Sequence, residues 1–354
     1  MSKVRAAIIG SGLIAGKKHI PAFLKTRRTA GLVAICDLNL KQAQEVAQRF
    51  GIARAYGDMA EMIAAEHPQL IDICTPPQTH ARLAIDAMRH GCHVLVEKPM
   101  ALKLSDCDQM VEASRQYGVS MCVVHSDLFY LPFMRARDMV GRGEVGKFRG
   151  MRIILSTPRD YMTSRSDHWA HKLPGGVIGE TGPHIVYMTL AFLKNIRSVS
   201  AEGAKLLPEY PWSRFEDYRI NLVGDEGISS VTLSYATDQW MARVELLGED
   251  GFIIADLQSM NVVRYRREEL KALPVGLSLL RDAAQLTGAF VGNSVRYLTG
   301  GMRSTHEIII SRFVDSILRG APSPVTAEEG REAVRVLQMI VEALEQQPVA
   351  VAVH

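Results

Sequence analysis

The sequence predicts two domains in succession: a doubly wound α/β domain, then an α+β domain built on a mostly antiparallel sheet. Three observations carry this. The 354 residues exceed what one ordinary domain of about 150 residues holds. Residues 1–124 alternate short apolar runs with stretches of helical period, whereas later apolar runs follow one another across tight glycine-bearing breaks. Strands separated by helices return through right-handed crossovers and form a parallel sheet covered on both faces. Strands joined by tight turns form an antiparallel sheet instead.

In chain order, the early apolar runs are Val4–Ile9, Gly31–Cys36, Leu70–Cys74, His93–Val96 and Met121–Val124. Between them, Ala15–Leu24, Leu40–Phe50, Asp58–Ala65, His80–Arg89 and Leu104–Tyr117 repeat apolar residues at helical spacing. The expected domains are therefore 1–124 and 125–354. In the second, segments 147–156, 217–224, 227–236, 239–247, 251–256 and 260–266 are strand-like, with hairpin breaks at Gly224-Asp225-Glu226-Gly227 and Gly248-Glu249-Asp250-Gly251. Helical segments follow Gly176 and run from His306 to Leu318 and from Ala327 to Leu344. Segment 273–301 is small and apolar, with Leu277, Leu279, Leu280, Leu286, Phe290 and Val291. Arg281, Asp282, Asn293 and Arg296 interrupt it, so it lacks the roughly 20 apolar residues of a membrane span. It reads as a packing or subunit-contact segment, with peripheral membrane contact or a substrate lid as alternatives.

Composition narrows the function classes. Hydrophobic residues make up 47% and charged residues 22%, an ordinary globular balance that excludes a disordered or collagen-like chain. A net charge of +3, with no face crowded by Lys and Arg, gives no footprint for nucleic acid. The N-terminal apolar run stops at Gly10, shorter than a signal-peptide core of about 7–15 residues. The five cysteines all lie before residue 125. Odd in number and unevenly spaced, they form no disulfide framework and fit reduced thiols in a cytoplasm.

Gly10-Ser11-Gly12-Leu13-Ile14-Ala15 follows the first strand and opens a helix, the context in which such a string cradles a dinucleotide pyrophosphate. Gly10 allows the tight turn and Gly12 the close approach of backbone to phosphate. Leu13 and Ile14 begin a helix whose N–H groups face the anion, and Ala15 permits close helix–strand packing. Asp37 ends the second strand 25 residues after Gly12, near the acidic position expected about 20 residues on. Its carboxylate suits ribose hydroxyls and repels a 2′-phosphate, and no Arg follows it, so NAD is favoured over NADP. Cys74-Thr75-Pro76-Pro77-Gln78-Thr79-His80 closes the fourth run at the carboxyl edge where ligands gather. This places Thr75, Pro76 and His80 near the cofactor, with Thr79 available to cap the next helix.

Glu97-Lys98-Pro99 stands at the carboxyl end of another strand. Lys98 there can hydrogen-bond the reacting oxygen of a substrate beside the nicotinamide. Glu180 and His184, in Gly175-Gly176-Val177-Ile178-Gly179-Glu180-Thr181-Gly182-Pro183-His184, are four apart and share one helical face. A histidine beside a carboxylate is a natural base for an alcohol proton. His168 and His171 with Glu180 and His184 could suggest zinc. The Pro174-Gly175-Gly176 break prevents one helical face from holding all four, and no metal is expected. Asp167, His168, Trp169 and Lys172 suit a sugar pocket, where an indole stacks on a ring face.

Together, the Gly10–Ala15 turn, Thr75-Pro76-Pro77, Glu97-Lys98-Pro99, the Gly-Gly…Glu-Thr-Gly-Pro-His stretch, Gly146-Lys147-Phe148, His306-Glu307 and Pro324-Val325 resemble the Gfo/Idh/MocA oxidoreductases over nearly the whole chain. The resemblance implies a Rossmann domain followed by an open-faced, mostly antiparallel sheet that mediates homodimers or homotetramers. It implies hydride transfer between NAD(P) and a hydroxyl or ketone of a sugar, cyclitol or derivative, in the cytoplasm and without nucleic acid or membrane. By it, Lys98 and His184 are catalytic and substrate-binding residues, and Glu97 belongs to the cofactor site with Lys98. The chain departs from the family pattern at Glu180 and Tyr187, both aspartates in many members, and at His125, often Asn. Two other activities compete with this one: NAD-dependent glycoside hydrolysis and a non-catalytic nucleotide-binding regulator.

Overall fold

A computed structural model describes residues 3–266 and 271–347. One compact unit holds the chain up to Phe129 together with Arg303–Arg335; the other holds Tyr130–Met302 and the chain from Val336 onward.

The first unit carries β1 (Val4–Ile9), β2 (Ala30–Cys36), β3 (Arg54–Tyr56), β4 (Leu70–Ile73), β5 (His93–Val96) and β6 (Met121–Val123). They form one sheet in the order β3-β2-β1-β4-β5-β6, parallel throughout. A π-helical turn (Ala15–His19) runs into α1 (Ile20–Lys25), followed by α2 (Leu40–Phe50), α3 (Met59–Glu66), α4 (His80–Arg89) and α5 (Leu104–Gln116). Central strands are apolar on both sides because helices cover both faces: Ile71, Ile73, Val94 and Leu95 are fully buried. Local chemistry sets the helix ends. Asn39 accepts from Gln42 N at 3.2 Å to start α2, and Gly51, in the left-handed region at φ 69°, stops it. Asp58 caps α3 through Glu61 N at 3.0 Å. β3 carries no sequence signal, because its three residues are too few and too polar to show a period.

α9 (Thr305–Arg319) and the start of α10 (Ala327–Glu345) belong to this first unit. This corrects the expectation that everything after residue 124 forms the second domain. Ile309, Ile310, Phe313 and Val314 of α9 are fully buried, and α9 lies against α1 and the 3₁₀ turn Ser126–Phe129. An apolar stripe announces that a helix is buried, not which core it fills.

The second unit contains α6 (Leu131–Gly141), β7 (Phe148–Ser156), α7 (Val177–Leu190), β8 (Ser198–Ala204), β9 (Asp217–Val223), β10 (Ile228–Ser234), β11 (Met241–Gly248), β12 (Gly251–Asp256), β13 (Asn261–Arg266) and α8 (Ala272–Leu298). Its sheet runs β13-β12-β11-β7-β10-β9-β8. All pairs are antiparallel except β7–β10, so the sheet is mixed. Alternation is clear in β9, where Tyr218, Ile220 and Leu222 are buried while Arg219 and Asn221 are exposed. One face thus builds the core and the other stays open. Neither α6 nor β8 was anticipated; β8 reads Ser-Val-Ser-Ala-Glu-Gly-Ala, a polar edge strand with little apolar signal.

Glutamine amides occupy both sheet edges. Gln285 of α8 accepts from Arg264 N at 2.9 Å and donates to Arg264 O at 3.1 Å on β13. Gln347 does the same to Gly203 on β8, at 2.7 and 3.0 Å. Each amide replaces one residue of a neighbouring strand and closes that part of an exposed ladder. All five cysteines are buried and free. No helix among the described residues is long and apolar enough to cross a membrane.

Candidate active site

In an open parallel sheet, ligands bind beyond the carboxyl ends of the strands where the strand order reverses, here between β1 and β4. Gly10 leaves β1 at φ 97°, and a Cβ there would stand 2.8 Å from the carbonyl carbon and oxygen of Cys74. Only glycine lets the β1 turn pass so close to the end of β4. A Cβ at Gly12 would meet nothing within 4 Å, which leaves that backbone open to an approaching phosphate. Asp37 closes β2. Its Oδ2 accepts from Ser11 N at 2.8 Å and Ser11 Oγ at 2.7 Å, and its Oδ1 from Asn39 N at 2.9 Å. Burial works to raise its pKa, but these hydrogen bonds outweigh it and hold the carboxyl below its ordinary value of 3.8. The residues present fit an adenosine ribose: a fixed anion beside a turn with open backbone.

The Thr75–His80 loop is braced from within. Thr75 Oγ1 and Thr79 Oγ1 are 2.7 Å apart, and Thr79 Oγ1 donates to Pro76 O at 2.8 Å. Thr79 therefore makes no side-chain cap for α4, contrary to expectation. His80 is also corrected. It is fully buried, with Nε2 2.8 Å from Thr75 O and Nδ1 3.0 Å from Pro99 O. It staples the two loops together from behind, and burial lowers its pKa.

Glu97 is turned inward, a second correction to the cofactor set. Its Oε1 lies 2.8 Å from His19 Nε2 and 3.6 Å from His306 Nε2, while Oε2 accepts from Lys98 N at 3.0 Å. His19 is fully buried, and its Nδ1 is 2.8 Å from Asp72 Oδ2. A ring whose two nitrogens both face carboxylates is held as imidazolium, donating both ways. Burial opposes that charge, yet Asp72 and its hydrogen bond win and raise the pKa well above 6.5. Burial likewise opposes the Glu97 charge, yet the bonds from His19 and His306 hold its pKa well below 4.5. The groups His19–Glu97–His306 and His19–Asp72–Cys74 each bring ligand atoms within 4.8 Å. Their 2.8 Å pairs are hydrogen-bond lengths with a proton between, so charge pairing accounts for the cluster without an ion. His19, Asp72 and His306 were not assigned to any site from sequence. The available signal was Asp72, an acid in the otherwise apolar strand Leu70–Ile73.

Lys98 is half-buried at the end of β5, its backbone anchored through Glu97.

In the second unit, Glu180, His184 and Tyr187 follow at i, i+4 and i+7 on α7 and share one face. The buried Tyr187 hydroxyl lies 2.6 Å from His184 Nδ1. Tyr187, read from sequence only as a lost carboxylate, is thus a direct partner of His184. Glycines let the helix seat: a Cβ at Gly179 would stand 2.6 Å from Pro174 O, and one at Gly182 2.7 Å from Leu337 Cδ1. Just before α7, the turn Trp169–Lys172 leaves Trp169 exposed and stacked on His168, ring centroids 5.8 Å apart. Asp167 and Lys172 are exposed. Nearby, the buried Lys205–Glu216 pair shapes the chain between them, with Lys205 donating to Glu216 Oε1 at 2.6 Å and to the carbonyls of Tyr210 and Ser213, both at 2.7 Å.

Residues 4–125 match the family described as "Oxidoreductase family, NAD-binding Rossmann fold", and residues 133–254 match its "GFO/IDH/MocA C-terminal domain". The chain belongs to the Gfo/Idh/MocA oxidoreductase family. Among its curated relatives is D-glucoside 3-dehydrogenase of Escherichia coli, 34% identical over 146 residues, which are 41% of this chain and 41% of that protein. The matched stretch thus spans less than half of that relative. Myo-inositol 2-dehydrogenase of Thermotoga maritima is 24% identical over 347 residues, 93% of each chain. A solved oxidoreductase from Agrobacterium radiobacter, in complex with NAD+, L-tartaric acid and magnesium, superposes with a TM-score of 0.79 at 19% identity, covering 98% of this chain and 97% of the other. That likeness confirms the Gfo/Idh/MocA fold expected from the motifs: a Rossmann unit and a mixed-sheet unit.

Proposed function

We propose that this protein is an NAD-dependent oxidoreductase that moves a hydride between nicotinamide and a hydroxyl or ketone of a sugar, cyclitol or sugar derivative. The observation that carries it is the carboxyl edge of the first sheet, where the Gly10–Gly12 turn, the Asp37 anion and Lys98 follow β1, β2 and β5 of one parallel sheet. Bound NAD would supply the hydride acceptor there, its adenosine ribose held by Asp37 and its pyrophosphate by the backbone of Gly12–Ile14. In oxidation, His184 takes the hydroxyl proton at Nε2, its Nδ1 being engaged by Tyr187. Lys98, by the family resemblance, is the residue that hydrogen-bonds a reacting oxygen and steadies its developing negative charge. In reduction the proton moves the other way. Glu180 orients this face, and Asp167, Trp169 and Lys172 contribute to the sugar pocket. The family's association through the open face of the second sheet, as a homodimer or homotetramer, and a cytoplasmic location suited to five reduced thiols complete the proposal.

The test is a screen of sugars, cyclitols and nucleotide sugars with NAD+ and NADP+, following nicotinamide absorbance. On the substrate found, Lys98→Met and His184→Ala are each expected to lower turnover by roughly 10²–10⁴. Unchanged turnover in both would sink the assignment, and a response to NADP+ alone would overturn the role of Asp37.

A further inference from the structure

Strands β8, β9, β10, β7 and β11 have ends in one cross-strand row. Ala204 pairs with Asp217, Asp217 with Ser234, Ser234 with Ser156 and Ser156 with Met241. Three segments leave the sheet from this row: 157–172, 205–216 and 235–240. They hold all three tryptophans of the chain, Trp169, Trp212 and Trp240. These indoles and Tyr161 are each between 39 and 51% exposed. Tryptophan is on average a well-buried residue, so three exposed at one end of a sheet mark a surface that something else covers. The rings adjoin one another. Trp169 stacks on His168 with centroids 5.8 Å apart, His168 faces Tyr161 at 6.3 Å, and Tyr161 meets Trp240 edge-on at 5.2 Å. Polar contacts brace this wall. Trp212 Nε1 donates to Thr163 O at 2.8 Å, Arg159 forks onto Asp238 at 2.8 and 2.6 Å, and the Lys205–Glu216 pair fixes the segment carrying Trp212. The wall starts beside the Glu180–His184 face. Tyr235, which opens segment 235–240, donates to Val177 O at 3.2 Å at the head of α7. His168 stands close enough to Glu180 to feel its charge, although burial and Arg165 hold the His168 pKa below 6.5.

Granted the sugar reading above, on which this rests, we propose that the aromatic wall is a subsite for a second sugar ring. The substrate is then a saccharide of two or more linked rings, not a free monosaccharide or cyclitol. A pyranose lays the C–H face of its ring on an aromatic face and keeps its hydroxyls at the edge, where Asp160, Asp167 and Gln239 are exposed. The steps between neighbouring rings are each about the width of one sugar ring, so the wall is longer than a monosaccharide. With the reacting ring at His184, the linked ring lies on His168, Tyr161 and Trp240. Charge decides against a nucleotide sugar. The three segments carry five basic and five acidic side chains. Arg159 is held by Asp238, Lys205 by Glu216, and Arg165 stands 4.0 Å from Asp167. These segments therefore gather no cation cluster for a diphosphate.

Because every tryptophan lies in these segments, intrinsic fluorescence of the full chain reports on the wall directly. The probes are two series: glucose with cellobiose and maltose, and galactose with lactose and melibiose. At least one disaccharide is expected to shift the emission saturably and to exceed its monosaccharide by roughly 10-fold in kcat/KM with NAD+. Tyr161→Ala keeps all three reporters and should weaken disaccharide binding by roughly 10-fold. Trp240→Ala, read by calorimetry, should do the same, with unchanged NAD+ binding showing that both variants fold. No emission shift with any disaccharide would overturn the subsite, and oxidation of a monosaccharide in the same panel would leave the hydride-transfer reading standing. A saturable shift weakened by Tyr161→Ala, without nicotinamide reduction, would keep the subsite and sink that reading instead. Tighter binding of UDP-glucose than of every disaccharide would assign the wall to a nucleobase and overturn the proposal. So would disaccharide binding that both variants leave unchanged while Trp240→Ala dissociates an oligomer in sedimentation equilibrium, which would assign the wall to a second copy.

Discussion

His19 illustrates how much one buried side chain can organise. Held between Asp72 and Glu97, it ties β4 to the end of β5, and through Glu97 it anchors the backbone of Lys98. The other titratable groups facing it are Cys74 and His306. Its raised pKa means that its stabilisation is fully present below 6.5 and lost as pH climbs through the folded value. The lowered pKa of Glu97 means a stabilisation present above 4.5 and lost as pH falls through its folded value. Both are complete only between pH 4.5 and 6.5. His19→Gln, which leaves two buried anions short of their cation, is expected to cost about 3–5 kcal/mol. It should also flatten the melting temperature against pH relative to wild type; parallel curves would refute the charge assignment. Asp37→Ala is expected to weaken NAD binding by roughly 10- to 100-fold, the scale of hydrogen bonds to a charged group, as titration calorimetry would measure. Tyr187→Phe removes the partner of His184 Nδ1 and should lower turnover while displacing the pH–rate profile. A loss of turnover with the profile unmoved would mean that the hydroxyl only fills space. At this scale Asp37 and Gly10 were legible because their motif is local. The His19 cluster was not, because its members lie 53 and 78 residues from His19 in the chain.

At the scale of elements, α7 shows how packing and chemistry share one helix. Its Glu180, His184 and Tyr187 face follows from helical spacing alone, while Gly179 exists for the opposite reason, to clear the Pro174 carbonyl at 2.6 Å. Gly179→Ala is therefore expected to destabilise the protein by about 1–3 kcal/mol. Urea denaturation would measure it, and a neutral result would mean that the preceding turn shifts freely. The edge strand β8 and helix α6 escaped notice because edge positions and half-buried helices carry weak periodicity. α8 stands out in the sequence as a small-residue, apolar segment. That its polar side is the one facing the protein is visible only once the helix is placed against β13.

Across the whole molecule, the first unit is assembled from two separated stretches of chain. Phe313 and its neighbours on α9 complete a core that residues 1–129 leave open. A fragment ending at Phe129 is therefore expected to lack cooperative urea unfolding and dispersed amide resonances, although it contains every strand of the Rossmann sheet. A cooperatively folded fragment would show that α9 is dispensable.

By itself the sequence determined the parallel sheet, the glycine turn after β1, the positions of Asp37 and Lys98 at strand ends and the Glu180–His184 spacing. These are written in short-range pattern: strand and helix periods, glycines required by a tight turn, and residues one helical turn apart. Only the tertiary structure decided that Glu97 and His80 face inward, that Tyr187 partners His184, that α9 belongs to the first unit, and that α8 shows its apolar side to water. Each of these depends on which surfaces meet, and burial is a property of the assembled core that no local stretch of chain encodes.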